Sequence, residues 1–484
     1  MHKLIFCCAL LAAAPCAARE PAVAGQFYPA DPAELAGTVD AYLAAAATGY
    51  APAADVVAAV SPHAGYEFSG RLAALAVRNV ADSYDTVVVL ATGHTEAVKG
   101  AALLASDDYS TPLGRVPTDR ALAAALLKAS PLFEDRPSAH AREHAVEVQL
   151  PFLQRRLKKP FKLLAAVLNT DDRAALKKIG AALAAALRGR KALILVSTDF
   201  SHYPPHSVAA PADGAMALAA ESMDPALVAA TSRVLLAAGA PGLETCACGE
   251  AALEAGMEAA RLLGAKSFSV LKTADSYSEA PALSGPDRVV GYIAGLFLKT
   301  GTPPSLALDK GQKAFLLAEA RRTVAAALSG KKPAAGLAAD PRLDLPGAAF
   351  VTLTIGGALR GCVGTVEPVM TLADAVRYGA YSAAFRDGRF RPLTAAELPK
   401  VKMEVSVLSR LKPSSAAALK PGRDGAVVEK GGRSGLFLPQ VWEQLPDRKE
   451  FLGELCEQKA GLPRDCWKDP AVKIYSFTVD AFSE

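Results

Sequence analysis

The second half of this chain contains no histidine: all seven lie at or before His206. That absence excludes a histidine-based metal site from everything beyond that point. No run after the N-terminal segment has the ~20 consecutive apolar residues that a membrane-spanning helix needs. The net charge is only +4 over 484 residues, and the basic residues are scattered among acidic ones. A nucleic-acid binder carries a clustered basic stripe instead, so that class is set aside. Cysteine is sparse: of eight, Cys7, Cys8 and Cys16 fall in the first stretch, leaving Cys246, Cys248, Cys362, Cys456 and Cys466. An odd number at irregular spacing excludes a disulfide framework. Cys456 and Cys466 could still pair in an oxidising compartment, whereas Cys246 and Cys248 stand too close for an unstrained bridge. No repeat of 20–50 residues is visible, so solenoids and propellers are excluded.

What is present begins with Met1-His2-Lys3 and an apolar run from Leu4 to Ala14. A cationic start, a short apolar core and small residues before Arg19 read as a secretory signal over residues 1–18. Export to the periplasm or outside follows from it, with Cys16 a candidate site for a lipid anchor. The length predicts two large domains or three smaller ones. The mean hydropathy of +0.20 owes much to alanine, which fills helices without implying a membrane.

From about residue 20 to 298, short Val/Ile/Leu strands alternate with Ala/Leu helices. The strands are expected at Val56–Val60, Thr86–Leu90, Lys162–Leu168, Ala192–Val196, Ser267–Thr273 and Val289–Ala294. Helices are expected at 32–46, 70–80, 120–129, 140–156, 172–187, 211–220 and 249–263. This alternation predicts an α/β fold with a doubly wound, mostly parallel sheet. Strands apolar throughout fit burial on both faces. Residues 299–309, rich in Gly and Pro, read as a linker. Beyond it, a helix at Lys310–Leu328, a strand at Ala348–Ile355, a helix near Leu372–Phe385 and a strand at Val401–Leu408 have no βαβ rhythm. They predict a smaller, separate α+β domain over 310–484.

Three of the apolar strands run straight into a histidine: Ser-Pro-His63, Ala-Thr-Gly-His94 and Ser-Thr-Asp199-Phe-Ser-His202. In an open α/β sheet ligands sit beyond the carboxyl ends of the strands, so these endings would meet in one crevice. Imidazole is the commonest metal ligand and the usual acid/base at neutral pH. The turn after His63 carries Pro62, Gly65 and Gly70, but its glycine spacing is not that of a dinucleotide fingerprint. In His140-Ala-Arg-Glu-His144-Ala-Val-Glu147, helical spacing would place His140, His144 and Glu147 on one face, as ligands, a substrate wall or a plain polar border. Ala141 stands where a zincin would need its glutamate. Cys248 precedes Gly249 and an amphipathic helix, where free N–H groups favour a thiolate ligand or nucleophile; an inert buried cysteine is the alternative.

The segments Arg19-Glu-Pro-Ala-Val-Ala-Gly-Gln-Phe-Tyr-Pro29, Ser-Pro-His63-Ala-Gly-Tyr66, Gly-His94, Glu143-His144-Ala-Val-Glu-Val-Gln-Leu-Pro-Phe152, Ser-Thr-Asp199-Phe-Ser-His202 and Cys248-Gly249 resemble, in that order, the Memo family across residues 19–298. The resemblance implies a fold related to class III extradiol dioxygenases with a metal crevice at the strand ends. It implies His63, His94 and Cys248 as ligands of one metal ion, with His202 and Asp199 lining the site as acid/base or, for His202, as an additional ligand. His140, His144, Glu147 and Tyr66 follow as supporting or substrate-facing residues. Cys246, two positions earlier, competes with Cys248. A thiolate in place of a carboxylate is a softer ligand and favours iron or copper, with zinc also accepted. Oxygenase activity does not follow from such a fold.

Leu359-Arg360-Gly-Cys362-Val-Gly-Thr365, then Arg386-Asp387-Gly-Arg389-Phe-Arg-Pro-Leu393, closely resemble the AMMECR-type domain. Gly361 and Gly364 bracket Cys362, which reads first as a structural turn and second as a reactive thiol that a nearby Arg360 would activate. Arg386, Asp387 and Arg389 form a charged loop, either for an anionic ligand or as a plain solvated ion pair. Proteins of the two types are associated with a radical-SAM enzyme, so the resemblance implies such a partner. This chain has no Cys-x3-Cys-x2-Cys cluster and is not that enzyme itself. The leading expectation is a metal-dependent redox enzyme acting on a small molecule. Its rivals are a non-catalytic metal- or partner-binding scaffold and a zinc-assisted hydrolase.

Overall fold

In β2 (Val56–Ser61), β3 (Thr86–Thr92) and β9 (Ala192–Ser197) nearly every residue is buried, which requires cover on both faces. The computed structural model describes residues 18–332, 336–338 and 340–484. The expected signal segment, apart from Ala18, and Cys16 lie outside the described residues. The chain divides into two compact units. One comprises the residues up to Ala209 with Ala220–Val228 and Glu244–Pro304; the other comprises Ala210–Ala219, Ala229–Leu243 and Ser305–Glu484.

The strands of the first unit are, with those three, β1 (Ala18–Arg19), β4 (Ala101–Leu103), β5 (Asp108–Thr111), β6 (Gly114–Val116), β7 (Phe133–Asp135), β8 (Lys162–Leu168), β10 (Ser267–Asp275) and β11 (Gly291–Leu298). Eight of them form one sheet in the order β10-β11-β2-β9-β3-β8-β4-β7. The central strands β2, β9, β3 and β8 run parallel, while β10, β11 and β4 meet their inner neighbours antiparallel. The expected parallel sheet is therefore present, with antiparallel flanks. Helices α1 (Pro32–Ala45), α2 (Tyr66–Arg78) and α5 (Leu150–Arg156) contribute Leu35, Val39, Val77 and Phe152 to the core that holds Ala59, Val87 and Leu195. The other helices of this unit are α3 (Arg120–Ala129), α4 (Pro137–Ala141), α6 (Arg173–Leu187), α9 (Glu250–Leu262) and α10 (Ser276–Glu279), whereas α7 (His206–Glu221) and α8 (Pro225–Ala237) fall mostly in the segments of the second unit. On the opposite face, α9 lies so close to the sheet that a Cβ at Gly256 would sit 2.4 Å from Val196 Cγ2.

Residues 140–156 are not one helix. After α4 the chain leaves helical geometry, makes a 3-10 turn at Glu147–Gln149 and only then enters α5, whose second residue is Pro151. Pro is tolerated in the first turn of a helix but not in its interior, which puts the restart there. His140, His144 and Glu147 consequently do not share a face.

In the second unit, α11 (Lys310–Leu328) and α12 (Leu372–Phe385) match the expected helices. One sheet runs β13-β12-β15-β20, from β12 (Pro346–Ile355), β13 (Ala358–Gly364), β15 (Val401–Leu408) and β20 (Val479–Ser483), with β14 (Met370–Thr371) against β12. A second runs β16-β19-β17-β18, from β16 (Lys412–Ser414), β17 (Gly425–Lys430), β18 (Arg433–Phe437) and β19 (Lys473–Phe477). A core of Leu316, Ala320, Val351, Leu353, Val376 and Val405 joins the helices to the first sheet. Cys456 and Cys466 form a buried disulfide across ten positions. Closing a loop of that size removes about 2–3 kcal/mol of unfolded-state entropy. Reducing the bridge should lower the stability of this unit by that amount, read as a shifted denaturation midpoint with and without reductant.

Candidate metal centre

The register of the central strands builds the crevice. Ser61 lies opposite Ser197, and Ser197 opposite Ala91, so β2, β9 and β3 end at one level. His63, Asp199 and His94 each follow two residues beyond, or just past, those ends and emerge side by side. Cys248 arrives from the opposite face at the start of α9. Gly249 permits that approach: its N–H donates to Thr198 Oγ1 at 3.0 Å, and a Cβ there would sit 2.7 Å from Thr198 Cβ.

The ligand atoms of His63, His94 and Cys248 lie within 4.8 Å of one another. Two ligands bound at ~2.0–2.3 Å can span that separation after modest closure. Cys248 Sγ is 3.1 Å from His63 Nε2, and the Asp199 N–H points at the sulfur from 3.3 Å. The His63 and His94 rings meet edge-on with centroids 5.2 Å apart. Burial, with the neighbouring His94, pushes His63 down to about 3, so its ring is neutral and has a lone pair to offer. Burial, reinforced by the Asp199 carboxylate, raises the Cys248 thiol well above its ordinary value. A cation would have to displace that proton.

Asp199 Oδ1 accepts the His63 backbone N–H at 2.7 Å, and its Oδ2 stands 4.0 Å from His63 Nε2. Desolvation raises the Asp199 carboxyl and lowers the His202 imidazole, partly opposed in each by the other's charge. His202 is fixed through its backbone, donating to Thr245 O and accepting from Glu244 N. Its Nε2 is buried without a hydrogen-bond partner. A buried donor or acceptor left empty is costly and marks a place where a ligand or solvent group completes the site.

Of the other candidates, His144 joins the crevice, stacked 4.6 Å from the His94 ring and 5.4 Å from His63. Burial and the two neighbouring imidazoles lower it to about 4. His140 does not join. Its Nδ1 meets Tyr109 Oη at 2.8 Å and its Nε2 meets Ala102 O at 2.9 Å. Glu147 is consumed by Arg19, Tyr28 Oη and the N–H groups of Ala22 and Val23. Tyr66 donates to Val148 O at 2.8 Å and packs on Phe152. These three bind chain segments together. Cys246 is fully buried, and the clustered donor is Cys248.

Glu143 was not singled out in the sequence and proves central. It is fully buried; its Oε2 accepts the His94 N–H at 2.6 Å and its Oε1 meets His94 Nδ1 at 2.9 Å. Those bonds outweigh burial and hold its carboxyl at about 2. A carboxylate at Nδ1 turns Nε2 toward a metal and strengthens it as a ligand. His94, Glu143 and His144 form a second close group, but the Glu143 oxygens are already occupied by His94 and by the Ala145 N–H.

In the second unit, β13 presents alternate residues to opposite faces. Gly361 abuts α12 at Ala383, which leaves Arg360 and Cys362 on the other side. Asp387 Oδ2 accepts the Cys362 N–H at 2.9 Å, Arg389 Nη2 donates to Cys362 O at 3.2 Å, and Thr352 Oγ1 points at Cys362 Sγ from 3.3 Å. Arg360 is instead paired with Glu397 at 2.9 Å, and Arg386 lies over the Tyr381 ring. Cys362 faces a cleft of about 520 Å³ shared with Phe350, Leu436, Leu438 and Gln444.

Comparison with known proteins places both halves. The profile of the Memo-like protein family matches residues 19–296, and that of AMMECR1 matches 317–482. A MEMO1 family protein of Methanopyrus kandleri is 33% identical over 291 residues, covering 58% of this chain and 98% of its own length. Another, from Aquifex aeolicus, is 33% identical over 283 residues, covering 58% and 99%. The crystal structure of an uncharacterized protein from Pyrococcus horikoshii is 37% identical and covers 37% of this chain and 94% of its own, with a TM-score of 0.35. The chain therefore belongs to the Memo-like protein family, with an AMMECR1 domain following in the same polypeptide.

Proposed function

We propose that the crevice holds one metal ion through His63, His94 and Cys248, and that the protein is a metal-dependent redox enzyme acting on a small molecule. The supporting observation is the convergence of those three donors near the buried, unpartnered Nε2 of half-buried His202. Two imidazoles and a thiol suit iron or copper best, with zinc a third choice. Such an ion, once bound, would supply Lewis acidity and redox capacity. The residues do the rest. Asp199 fixes the His63 backbone and lowers the cost of charging His202, which holds or gives a proton at its Nε2. His144 and Phe27, with rings 4.7 Å apart, close one side of the crevice.

Elemental analysis of anaerobically purified protein should find one equivalent of iron or copper, and His63→Ala or Cys248→Ser should lose it. His202→Ala should keep the metal and lose turnover by about 10²–10⁴-fold, the usual worth of a general acid or base. The thiolate in the donor set favours a second reading, a metal-sequestering scaffold. That reading wins if metal is bound yet catechols, peroxide and thiols are all left unchanged by the wild type.

The Cys456–Cys466 disulfide supports export to an oxidising compartment. Among the described residues no helix is long and apolar enough to cross a membrane. A radical-SAM partner and an anionic ligand at Cys362 and Arg389 belong to the same proposal for the second unit. Pull-down from the native organism and thiol-alkylation protection test them.

A further inference from the structure

Beneath His63 lies a fully buried polar network that the ligand set does not explain. Gln149 Nε2 is 2.8 Å from Pro62 O and 3.0 Å from Ser197 Oγ, and Gln149 Oε1 is 2.7 Å from Ser61 Oγ. Ser197 Oγ is also 2.7 Å from Ala145 O and 3.0 Å from His63 Nδ1. Ser61, Gln149 and Ser197 are all 0% exposed, and His63 is 1% exposed.

Two backbone carbonyls set the direction of every bond in this network, because a carbonyl can only accept. Pro62 O requires the Gln149 amide nitrogen to face it, which leaves Oε1 to accept from Ser61. Ala145 O requires the single hydroxyl hydrogen of Ser197. The remaining capacity of Ser197 Oγ is two lone pairs, and the Gln149 N–H fills one. The other can be filled only by a hydrogen on His63 Nδ1. Nε2 then carries the lone pair, on the side where Cys248 Sγ stands at 3.1 Å.

We infer that Ser197 and Gln149 are positioning residues that fix His63 as the Nδ1–H tautomer and so aim Nε2 at the metal. Glu143 does the same for His94 from the other wall, through Nδ1 at 2.9 Å. One ligand is thus oriented by a charge and its neighbour by a neutral relay. A neutral acceptor leaves less negative charge on the His63 ring, making the two imidazoles inequivalent donors. The consequence for metal binding rests on the metal reading above; the tautomer does not.

The test separates them. In metal-free protein labelled with 15N-histidine, two-bond proton–nitrogen correlation should show His63, assigned by its absence in His63→Ala, protonated at Nδ1. Ser197→Ala should move the proton toward Nε2, and Ser197→Thr, which restores the hydroxyl, should bring it back. Cobalt(II) affinity should fall about 10–100-fold in Ser197→Ala, the usual loss for an outer partner of a ligand, and recover in Ser197→Thr. An Nε2–H tautomer in the wild type overturns the relay whether or not any variant folds. A tautomer unmoved in folded Ser197→Ala overturns it too. A correct tautomer with no cobalt bound leaves the relay standing and sinks the metal reading instead.

Discussion

Arg19→Met should cost about 3–5 kcal/mol of stability, more than any other single substitution in the first unit considered above, because it strands a buried charge. Arg19 pairs with Glu147, which is 0% exposed, and also donates to His140 O at 2.9 Å and Glu143 O at 2.6 Å. Glu147 collects the Tyr28 hydroxyl and the N–H groups of Ala22 and Val23 as well. Residues 19–28 are therefore tied to residues 140–147 by one ion pair and its hydrogen bonds. Without the guanidinium, the carboxylate either stays charged in a low-dielectric site or takes a proton and loses its donors. Replacing both partners removes the stranded charge, so Arg19→Met with Glu147→Gln should lose less than the sum of the two singles. Urea denaturation of the four proteins checks this. A loss below about 1 kcal/mol for Arg19→Met would show that the pair is neutral on balance. The same substitution frees the Glu143 carbonyl, and Glu143 orients His94, so metal affinity should weaken alongside stability.

The sequence made the crevice legible because its cause is local. A strand apolar at every position is buried on both sides, and a polar side chain two residues past such a strand, as His63, Asp199 and His94 are, emerges at the carboxyl end of the sheet. Three such strands needed only to be neighbours, and their register places them so. The 140–156 segment misled for an equally local reason. His-Ala-Arg-Glu-His-Ala-Val-Glu has helical spacing, while Pro151, the signal of a fresh start, stands seven residues after His144. Glu143, Ser197 and Gln149 were illegible because their roles exist only in three dimensions. Glu143 serves a histidine 49 positions away, Gln149 a serine 48 away, and Ser197 a histidine 134 away. The strands β4, β6 and β7, three residues each, are too short to show any period. In the second unit the arginines were legible as charges but not as pairs: Arg360, the candidate activator in the minor reading of Cys362, is held by Glu397.

The metal-free protein should become markedly less stable between about pH 6.5 and pH 4, and His140 should account for about 2–3 kcal/mol of that loss. Burial lowers His140 to about 4, even though its bond to the Ala102 carbonyl favours the charged form. In the unfolded chain the same imidazole titrates near 6.5. Between those values the unfolded state binds a proton that the folded state refuses, so stability falls as pH falls. Above about pH 7 both states are neutral and the penalty vanishes. His140 is the right residue to test because it lies apart from the metal donors. His63 and His144 are depressed for the same reason, but substituting them would also disturb the crevice. His140→Gln can keep the donor to Ala102 O while removing the titration. It should lose some stability at pH 7, where Tyr109 loses its acceptor, yet show a slope shallower by up to ~1.4 kcal/mol per pH unit through the window. Denaturant midpoints for wild type and variant at half-unit steps from pH 7 to 4 decide it. Parallel curves would mean that the buried ring accepts its proton without cost, through a rearrangement of the Tyr109 hydroxyl.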